Sequence, residues 1–271
     1  MATFTFEDKQ VYYETHGEGK PLLLLNGIMM SCASWREFIE PLSAQNLLIL
    51  VDMIDQGRTD KYPEDYNHEI QLRLVDALLD HLQIEKVVIA GISYGSEVGL
   101  EYAILHPERV ERLLLFNATA ATGPWLRDIG KAWNLAAQNG ESYYYTAIPV
   151  IYSPQYYTDR NDWMEKRRKT LIPLFETPAF IESMIRLTKS SDDYDVRDRL
   201  KGVACPTLIV SARQDYLTPV AEQLYLAQHI PNSHYVCIED SGHASMYEQP
   251  MLFAALITGF ANTTKDTYRI A

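Results

Sequence analysis

The sequence lacks a surplus of basic residues, and that absence excludes one broad class of partner. Among its 271 residues, 24 are Lys or Arg and 36 are Asp or Glu, which gives a formal net charge of −12. A protein that binds nucleic acid neutralises phosphates with basic side chains. We therefore expect no nucleic-acid partner, and acidity of this size mainly favours solubility.

Cysteines and long apolar segments are also scarce. The three cysteines, Cys32, Cys205 and Cys237, are scattered and form no Cys-x-x-Cys pair. They indicate reduced thiols, with neither a disulfide framework nor a zinc site, and we expect no metal. The apolar run at residues 22–25 is far too short to cross a membrane. Residues 1–10 do not resemble a secretion signal, so we expect a cytoplasmic protein with no membrane contact.

What the chain does contain is an alternation of strand-like and helix-like segments. Several strand candidates are short and wholly apolar, which is typical of strands covered on both faces of a sheet. The predicted strands cover residues 4–6, 11–15, 21–27, 47–52, 86–91, 110–117, 205–212 and 234–239, and the predicted helices between them cover 35–42, 68–82, 96–106, 220–229 and 250–261. This order predicts an α/β fold with a mostly parallel sheet and helices on both faces.

The alternation stops in the middle of the chain. Long amphipathic stretches there predict helices at residues 125–138, 141–152 and 178–190, with no buried strand among them. We interpret residues 118–200 as a helical cap inserted into a single core domain, which is formed by residues 1–117 and 201–271. Because the insertion lies between two strands of the sheet, we expect it to cover the carboxyl edge, where α/β folds bind ligands.

The sequence Gly91-Ile92-Ser93-Tyr94-Gly95 follows a buried strand and precedes a helix. A serine between two glycines in this context predicts a nucleophile elbow, a turn so tight that neighbouring side chains would collide. Such a turn projects the serine hydroxyl above the sheet at the N-terminus of the next helix, whose free N–H groups favour a developing oxyanion. We predict that Ser93 is a nucleophile.

A serine hydroxyl is a poor nucleophile at neutral pH, so it needs a base and an acid that orients the base. His243 is the preferred base because it lies in a turn after the last strand, whereas the other histidines are interpreted as surface or packing residues. Asp215 follows a buried strand and is the predicted acid, since the chain order Ser–Asp–His is the expected one. Asn117 cannot replace it, because an amide cannot neutralise an imidazolium.

Two backbone N–H groups would complete an oxyanion hole. Tyr94, directly after the nucleophile, is expected to supply one of them. The loop after the strand at residues 21–27 should supply the other, which favours Ile28.

At this point the chain resembles the α/β-hydrolase superfamily over nearly its whole length. The segments GISYG, DMIDQGRTD, CPTLIVSARQDYLTP and SGHASMYEQP stand where that family carries its elbow, first-loop, acid and histidine motifs. The resemblance implies an eight-stranded, mostly parallel sheet with a helical lid inserted after the sixth strand. It also implies Ser93, Asp215 and His243 as a catalytic triad, with Ile28 and Tyr94 as oxyanion donors.

Two positions depart from the family pattern. Asn26 stands where the family usually has His, and Asp55 stands where it usually has a glycine. Asn26-Gly27, together with the segment ATAATGPWLRDIGKAW, is similar to acyltransferases that take 3-hydroxyacyl chains from acyl carrier protein. That similarity is shorter than the match to the superfamily.

These observations predict a serine hydrolase that cleaves a small-molecule carboxylic ester or thioester with an apolar acyl part and needs no cofactor. The alternatives are an acyltransferase that passes a 3-hydroxyacyl-type group to another acceptor, and an inactive binding protein on the same fold. Candidate substrate-binding residues are Met29, Met30, Trp125 and Met246. Most of the cap's other aromatic residues, and the charged run at residues 165–169, are interpreted as packing and as a solvated helix face. The sequence leaves a homodimer open.

Overall fold

The computed structural model describes residues 2–263, and its centre is one eight-stranded sheet. The strands are β1 (Ala2–Phe6), β2 (Lys9–His16), β3 (Lys20–Leu25), β4 (Asn46–Val51), β5 (Val87–Ile92), β6 (Val110–Phe116), β7 (Thr207–Ala212) and β8 (Ser233–Ile238). They lie side by side in the order β1-β2-β4-β3-β5-β6-β7-β8. Strand β2 pairs antiparallel with both β1 and β4, and every other pairing is parallel. The predicted mostly parallel, eight-stranded sheet is confirmed.

Helices cover the sheet and fill the segment between β6 and β7. They are α1 (Ile39–Ser43), α2 (Glu69–His81), α3 (Tyr94–Leu105), α4 (Pro124–Ala136), α5 (Gly140–Ala147), α6 (Pro154–Asp159), α7 (Asn161–Phe175), α8 (Pro178–Ser190), α9 (Val220–His229), α10 (Ser245–Glu248) and α11 (Pro250–Asn262). A 3₁₀ turn, Cys32–Phe38, precedes α1. No helix within residues 2–263 is both long and apolar enough to span a bilayer.

The central strands are apolar on both faces because both faces are covered. The side chains of β5 and β7 are buried along their whole length, and Leu22–Leu25 of β3 have no solvent exposure. Trp35, in the 3₁₀ turn, stacks on Phe253 of α11 at a ring-centroid distance of 6.0 Å, which joins two segments far apart in sequence on the same face of the sheet.

Five α-helices, α4 to α8, lie between β6 and β7, in the segment interpreted as the cap. The prediction of one helix over residues 141–152 is wrong: α5 ends at Ala147 and a separate 3₁₀ turn, Pro149–Ile151, follows it. Pro149 has no N–H to continue the hydrogen-bond ladder, which explains the break. Two further prolines, Pro154 and Pro178, begin α6 and α8, at the helix position that proline tolerates best.

Asp55 links the core to this helical segment. It follows β4 with a positive φ of 67°, a backbone region that glycine tolerates better. Its carboxylate accepts two hydrogen bonds of 2.8 Å from the Arg186 guanidinium on α8 and a third of 3.2 Å from the Ser183 hydroxyl. The departure from the family glycine at this position is therefore matched by a buried ion pair between the loop after β4 and α8.

Candidate active site

Ser93 occupies a strained turn between β5 and α3. Its φ of 52° and ψ of −120° lie outside the regions that non-glycine residues normally adopt. The Ser93 N–H donates to the Phe116 carbonyl at 2.9 Å, which fixes the turn against β6. The Ser93 carbonyl accepts from the N–H groups of Ser96 and Glu97, the first hydrogen bonds of α3. The predicted elbow thus has the backbone geometry that the sequence indicated.

The glycines on either side of Ser93 are required by the close approach of backbone atoms. A Cβ added to Gly91 would lie 2.3 Å from the carbonyl oxygen of Gly95, and one added to Gly95 would lie 2.3 Å from the carbonyl oxygen of Leu25. Neither position has room for a side chain. The second contact also presses the start of α3 against the end of β3, and so places the elbow beside the loop that contains Ile28.

Asp215 and His243 form a buried pair at the carboxyl edge of the sheet. His243 Nδ1 lies 2.7 Å from Asp215 Oδ2. Asp215 Oδ1 also accepts the N–H groups of Leu217 and Thr218, at 2.8 and 2.9 Å, so the carboxylate is fixed on several sides. An orienting acid needs such a fixed carboxylate, because it sets which imidazole nitrogen carries the proton.

Asn117 has a supporting role that sequence reasoning missed. It follows β6 with a positive φ of 55°, and its side-chain amide donates to Asp215 Oδ2 at 2.5 Å. Burial alone would raise the pKa of Asp215. The proximity of His243 and its hydrogen bond outweigh burial, with help from Asn117 and the Thr218 N–H, and the net result is a lowered pKa. Asp215 therefore remains a carboxylate beside the imidazole.

The side chain of Asn26 fixes the loop after β3 through hydrogen bonds. This fully buried side chain donates to the Val51 carbonyl at 2.8 Å and to Gln56 Oε1 at 3.0 Å, and it accepts the Trp35 indole N–H at 2.6 Å. Gln56 in turn donates to the Gly27 carbonyl at 3.0 Å. Asn26, the other departure from the family pattern, thus ties the loop carrying the predicted oxyanion donor to β4 and to the 3₁₀ turn.

Ser93 and His243 line the same cavity, whose volume is about 1220 Å³ with its open mouth included. Three of the four residues predicted to bind substrate, Met29, Met30 and Met246, also line it. So do Ile28 and Tyr94, whose backbone N–H groups were predicted as oxyanion donors. The Tyr94 N–H belongs to the first residue of α3, where a helix has no internal acceptor to offer.

Trp125 is the exception, because the structure places it outside the cavity. Its side chain is 52% exposed, and its indole N–H donates to the Tyr216 carbonyl at 3.0 Å. The lining residues of α4 are Leu126, Arg127, Ile129, Gly130 and Trp133, and all of them except Arg127 share one helix face at the spacing i, i+3, i+4, i+7. Trp125 lies one residue, about 100°, away from the start of that stripe. The structure therefore does not support the predicted substrate-binding role of Trp125, and Trp133 is the α4 tryptophan that lines the cavity.

A second buried polar cluster, around Glu97, was also missed. Glu97 lies one turn after Ser93 on α3, lines the cavity and is only 4% exposed. It accepts the hydroxyl of Thr119 at 3.2 Å and that of Ser191 at 3.3 Å, and His68 Nε2 lies 3.7 Å from it. Burial raises the pKa of Glu97, although His68 and the two hydroxyls act in the opposite direction. The regular apolar pattern of α3 gave no signal for a polar group that faces inward.

Metal ligation finds no support in the side chains around the cavity or elsewhere in residues 2–263. Within that range, no three His, Cys, Asp or Glu side chains are grouped as they would be around a metal ion. All three cysteines are free thiols, with Cys32 and Cys205 buried. The side chains that offer chemistry at this site are the hydroxyl, imidazole, carboxyl and guanidinium groups that line the cavity.

A strand–elbow–helix unit at the centre of a mostly parallel sheet, with a buried carboxylate–imidazole pair at the edge, defines a class of enzyme. The chain belongs to the α/β-hydrolase fold family, whose model matches residues 20–250, and it is a hydrolase of that family. In structure it is similar to MGS-M2, an alpha/beta hydrolase enzyme from a Medee basin deep-sea metagenome library. The TM-score is 0.98 and the identity 47%, over 99% of this chain and 100% of that one.

Curated relatives match the chain over most of its length. The "Putative carbamate hydrolase RutD" of Azorhizobium caulinodans is 29% identical, over 93% of this chain and 95% of the relative. The 3-oxoadipate enol-lactonase 2 of Acinetobacter baylyi is 28% identical, over 93% of this chain and 92% of the relative.

Proposed function

We propose that the protein is a serine hydrolase that cleaves a carboxylic ester or thioester through an acyl-enzyme, with Ser93, His243 and Asp215 as its catalytic triad. The observation that carries this proposal is the shared cavity: a serine on a strained elbow and an imidazole fixed by a buried carboxylate line the same space. Two curated relatives, named for carbamate and enol-lactone chemistry, support attack at a carbonyl carbon.

In this mechanism Ser93, His243 and Asp215 have distinct tasks. His243 takes the proton of the Ser93 hydroxyl as that oxygen attacks the carbonyl carbon, and Asp215 stabilises the imidazolium that forms. The N–H groups of Tyr94 and Ile28 stabilise the oxyanion. His243 then protonates the leaving group, so that the ester or thioester bond breaks. It next activates a water molecule, which releases the acid and restores the serine.

The cavity lining favours an apolar acyl part. Most of the surface around Ser93 is contributed by aliphatic, methionine and aromatic side chains, from the loop after β3 on one side and from α4 and α7 on the other. Burying each CH₂ of a bound chain in such a space stabilises the complex by about 0.8 kcal/mol. The helices at residues 118–200 act in this proposal as a cap that excludes water from the acyl chain.

The test is a series of 4-nitrophenyl esters of increasing acyl length, with acyl thioesters alongside. We expect kcat/KM to rise with chain length, by up to about fourfold per CH₂ at about 0.8 kcal/mol, until the cavity is filled. Ser93→Ala should remove nearly all turnover, whereas Ser142→Ala, on an exposed turn of α5, should not. A Ser93→Ala enzyme with near wild-type activity would refute the mechanism.

The same assay separates hydrolysis from acyl transfer. Added alcohol or thiol acceptors should leave free acid as the main product if water is the natural acceptor. Diversion of most of the acyl group to the added acceptor would instead establish the transferase alternative, which keeps the same triad and acyl-enzyme.

A further inference from the structure

Arg167 lines the apolar cavity, although it lies within the charged run that the sequence assigned to a solvated helix face. It stands on α7, whose cavity-lining residues are Arg167, Leu171, Leu174 and Phe175. These residues follow the spacing i, i+4, i+7, i+8, which is one face of a helix. Arg167 therefore occupies a position in the inward stripe that the helical pattern would otherwise fill with an apolar side chain.

Two aromatic rings hold the guanidinium in place. Its central carbon lies 5.0 Å from the ring centroid of Trp163 and 4.8 Å from that of Tyr247. Burial would lower the pKa of Arg167, but the hydroxyls of Tyr152 and Tyr247 raise it above the ordinary arginine value, so the group stays a cation. A guanidinium carries five N–H donors, more than the hydroxyls of Tyr152 and Tyr247 can accept, so N–H donors remain for a ligand.

This cation has no anionic partner within residues 2–263. Its Nε is buried and makes no hydrogen bond, and no carboxylate forms an ion pair with the guanidinium. The nearby acids are engaged elsewhere. Glu165 pairs with Arg168, and the Glu248 carboxylate accepts hydrogen bonds from Ser153 and from the Gly242 N–H. A partly buried charge without a counter-charge is costly, so a ligand that supplies the counter-charge would be stabilised at this position.

We propose that Arg167 binds a carboxylate group of the substrate, so that the substrate class is an acidic ester or thioester with an apolar segment between its carboxylate and its reacting carbonyl. This inference rests on the proposed function, because it needs Ser93 to act on the same bound molecule. A carboxylate matches the planar fork of a single guanidinium in two parallel hydrogen bonds.

The rest of the cavity argues against a doubly charged group such as a phosphate. The other cavity-lining arginine, Arg127, already donates to the backbone carbonyls of Thr122 and Asp192, each at 3.1 Å. Glu97, which also lines the cavity, would repel an anion placed at the α3 side when ionised. A single carboxylate at the α7 side needs only one guanidinium, that of Arg167, and it is not placed at the α3 side, where Glu97 would repel it.

The location of Arg167 fits a substrate that reaches Ser93. Tyr247, which contacts the guanidinium, lies one helical turn after the His243 loop, and the Ala244 N–H donates to the Ile151 carbonyl of the cap at 3.1 Å. The carboxylate site and the triad imidazole are thus attached to one short segment of chain. An apolar linker between them would lie against Met246 and Leu171, which line the same cavity.

Calorimetric titration with hexanoate and with its neutral isostere hexanamide tests this proposal without any need for turnover. Wild type should bind hexanoate more tightly, by about 10- to 100-fold, the range expected for a charge-assisted hydrogen-bonded pair. Arg167→Met should lose this preference, and Arg167→Lys should keep only part of it. Arg168→Met is the matched control: Arg168 is the next residue on α7 but is absent from the cavity lining, so its loss should leave the preference unchanged. Equal binding of the two ligands by wild type, or a preference that survives in Arg167→Met, would overturn the inference.

A kinetic comparison then separates this inference from the proposed function. The substrates are 4-nitrophenyl hydrogen glutarate and its methyl-capped neutral counterpart, and the readout is the ratio of their kcat/KM values. Wild type should favour the acidic ester, and Arg167→Met should lower the ratio by about tenfold or more. Hydrolysis of both esters at an unchanged ratio would refute the carboxylate site alone. Absence of hydrolysis with either ester would refute the proposed function, while the calorimetric result would still decide the role of Arg167.

Discussion

Replacing Arg186 with methionine should destabilise the protein strongly, because it removes the partner of a fully buried carboxylate. The Asp55 side chain has no solvent exposure, and that of Arg186 has 12%. Methionine keeps most of the aliphatic length of arginine while removing its charge. The ion pair joins the loop after β4 to α8, so its loss should also loosen the attachment of α8 to that loop.

The magnitude follows from what remains around Asp55. Breaking a buried ion pair by removing one partner costs about 3–5 kcal/mol. The Ser183 hydroxyl at 3.2 Å and the Tyr62 N–H at 3.2 Å still donate to Asp55, so the low end, about 3 kcal/mol, is expected. For a chain of this size that corresponds to a fall in Tm of about 6–12 °C.

The assay is urea denaturation followed by tryptophan fluorescence and circular dichroism, with wild type, Arg186→Met, Asp55→Gly and the double variant side by side. The double variant removes the unpaired carboxylate and places glycine at a φ of 67°, so it should recover about 2 kcal/mol relative to Arg186→Met. A loss below about 1 kcal/mol for Arg186→Met, or a double variant no more stable than Arg186→Met, would refute the reasoning.

Three further predictions concern the elbow and its surroundings. Asp215→Asn should lower kcat on a 4-nitrophenyl ester by about 10⁴-fold, because the amide favours the wrong imidazole tautomer; a loss below about tenfold would assign the role to another acid. Burial raises the pKa of Glu97, so wild type should lose stability as pH rises from the unfolded pKa of this carboxyl to its folded pKa, by about 1.4 kcal/mol for each pH unit between the two. Glu97→Gln should not show this loss. Urea denaturation of both proteins from about pH 5 to pH 8 measures it, and the same pH dependence of stability in the two proteins would contradict the prediction. Gly95→Ala should lower the urea midpoint sharply because its Cβ would meet the Leu25 carbonyl, whereas Gly259→Ala, with open space around its Cβ, should be neutral or stabilising by about 0.5–1 kcal/mol; equal effects of the two would refute this account of the elbow.

The sheet could be predicted from the sequence because its strands are short, apolar and separated by helical segments. All eight predicted strands are confirmed, with ends that differ by a few residues. The Ser93 turn was predictable for a similar reason, since a serine between two glycines directly after a buried strand is typical of a nucleophile elbow. The pairing of Asp215 with His243 followed from chain order, which places both at the same edge of the sheet.

The helices between β6 and β7 were harder to predict, because helical periodicity shows that a helix face is apolar without showing where that face points. Trp125 and Arg167 illustrate this difficulty. Trp125 is aromatic and directly precedes the inward stripe of α4. One residue corresponds to about 100° around the helix, and the Trp125 side chain contacts Tyr216 instead. Arg167 is charged and flanked by charges, yet its spacing to Leu171 and Phe175 belongs to the inward face of α7.

Long-range polar contacts could not be predicted from the sequence either, because nothing in one residue's sequence neighbourhood indicates which distant residue it contacts. Asn26 and Asp55 were recognised only as departures from a family pattern. The structure shows that Asn26 joins Trp35 to Gln56 and that Asp55 receives Arg186 from α8. A homodimer, a cytoplasmic location and the division into core and cap domains stay predictions.

The central claim is that Ser93 is an activated nucleophile, and covalent labelling tests it most directly. A fluorophosphonate probe reacts with a serine whose hydroxyl is deprotonated by a neighbouring base, so intact-mass analysis followed by peptide mapping should find one adduct, on Ser93. The adduct should be absent in Ser93→Ala and should form far more slowly in His243→Ala. A wild-type protein that stays unlabelled while folded, or a label on a residue other than Ser93, would contradict the account.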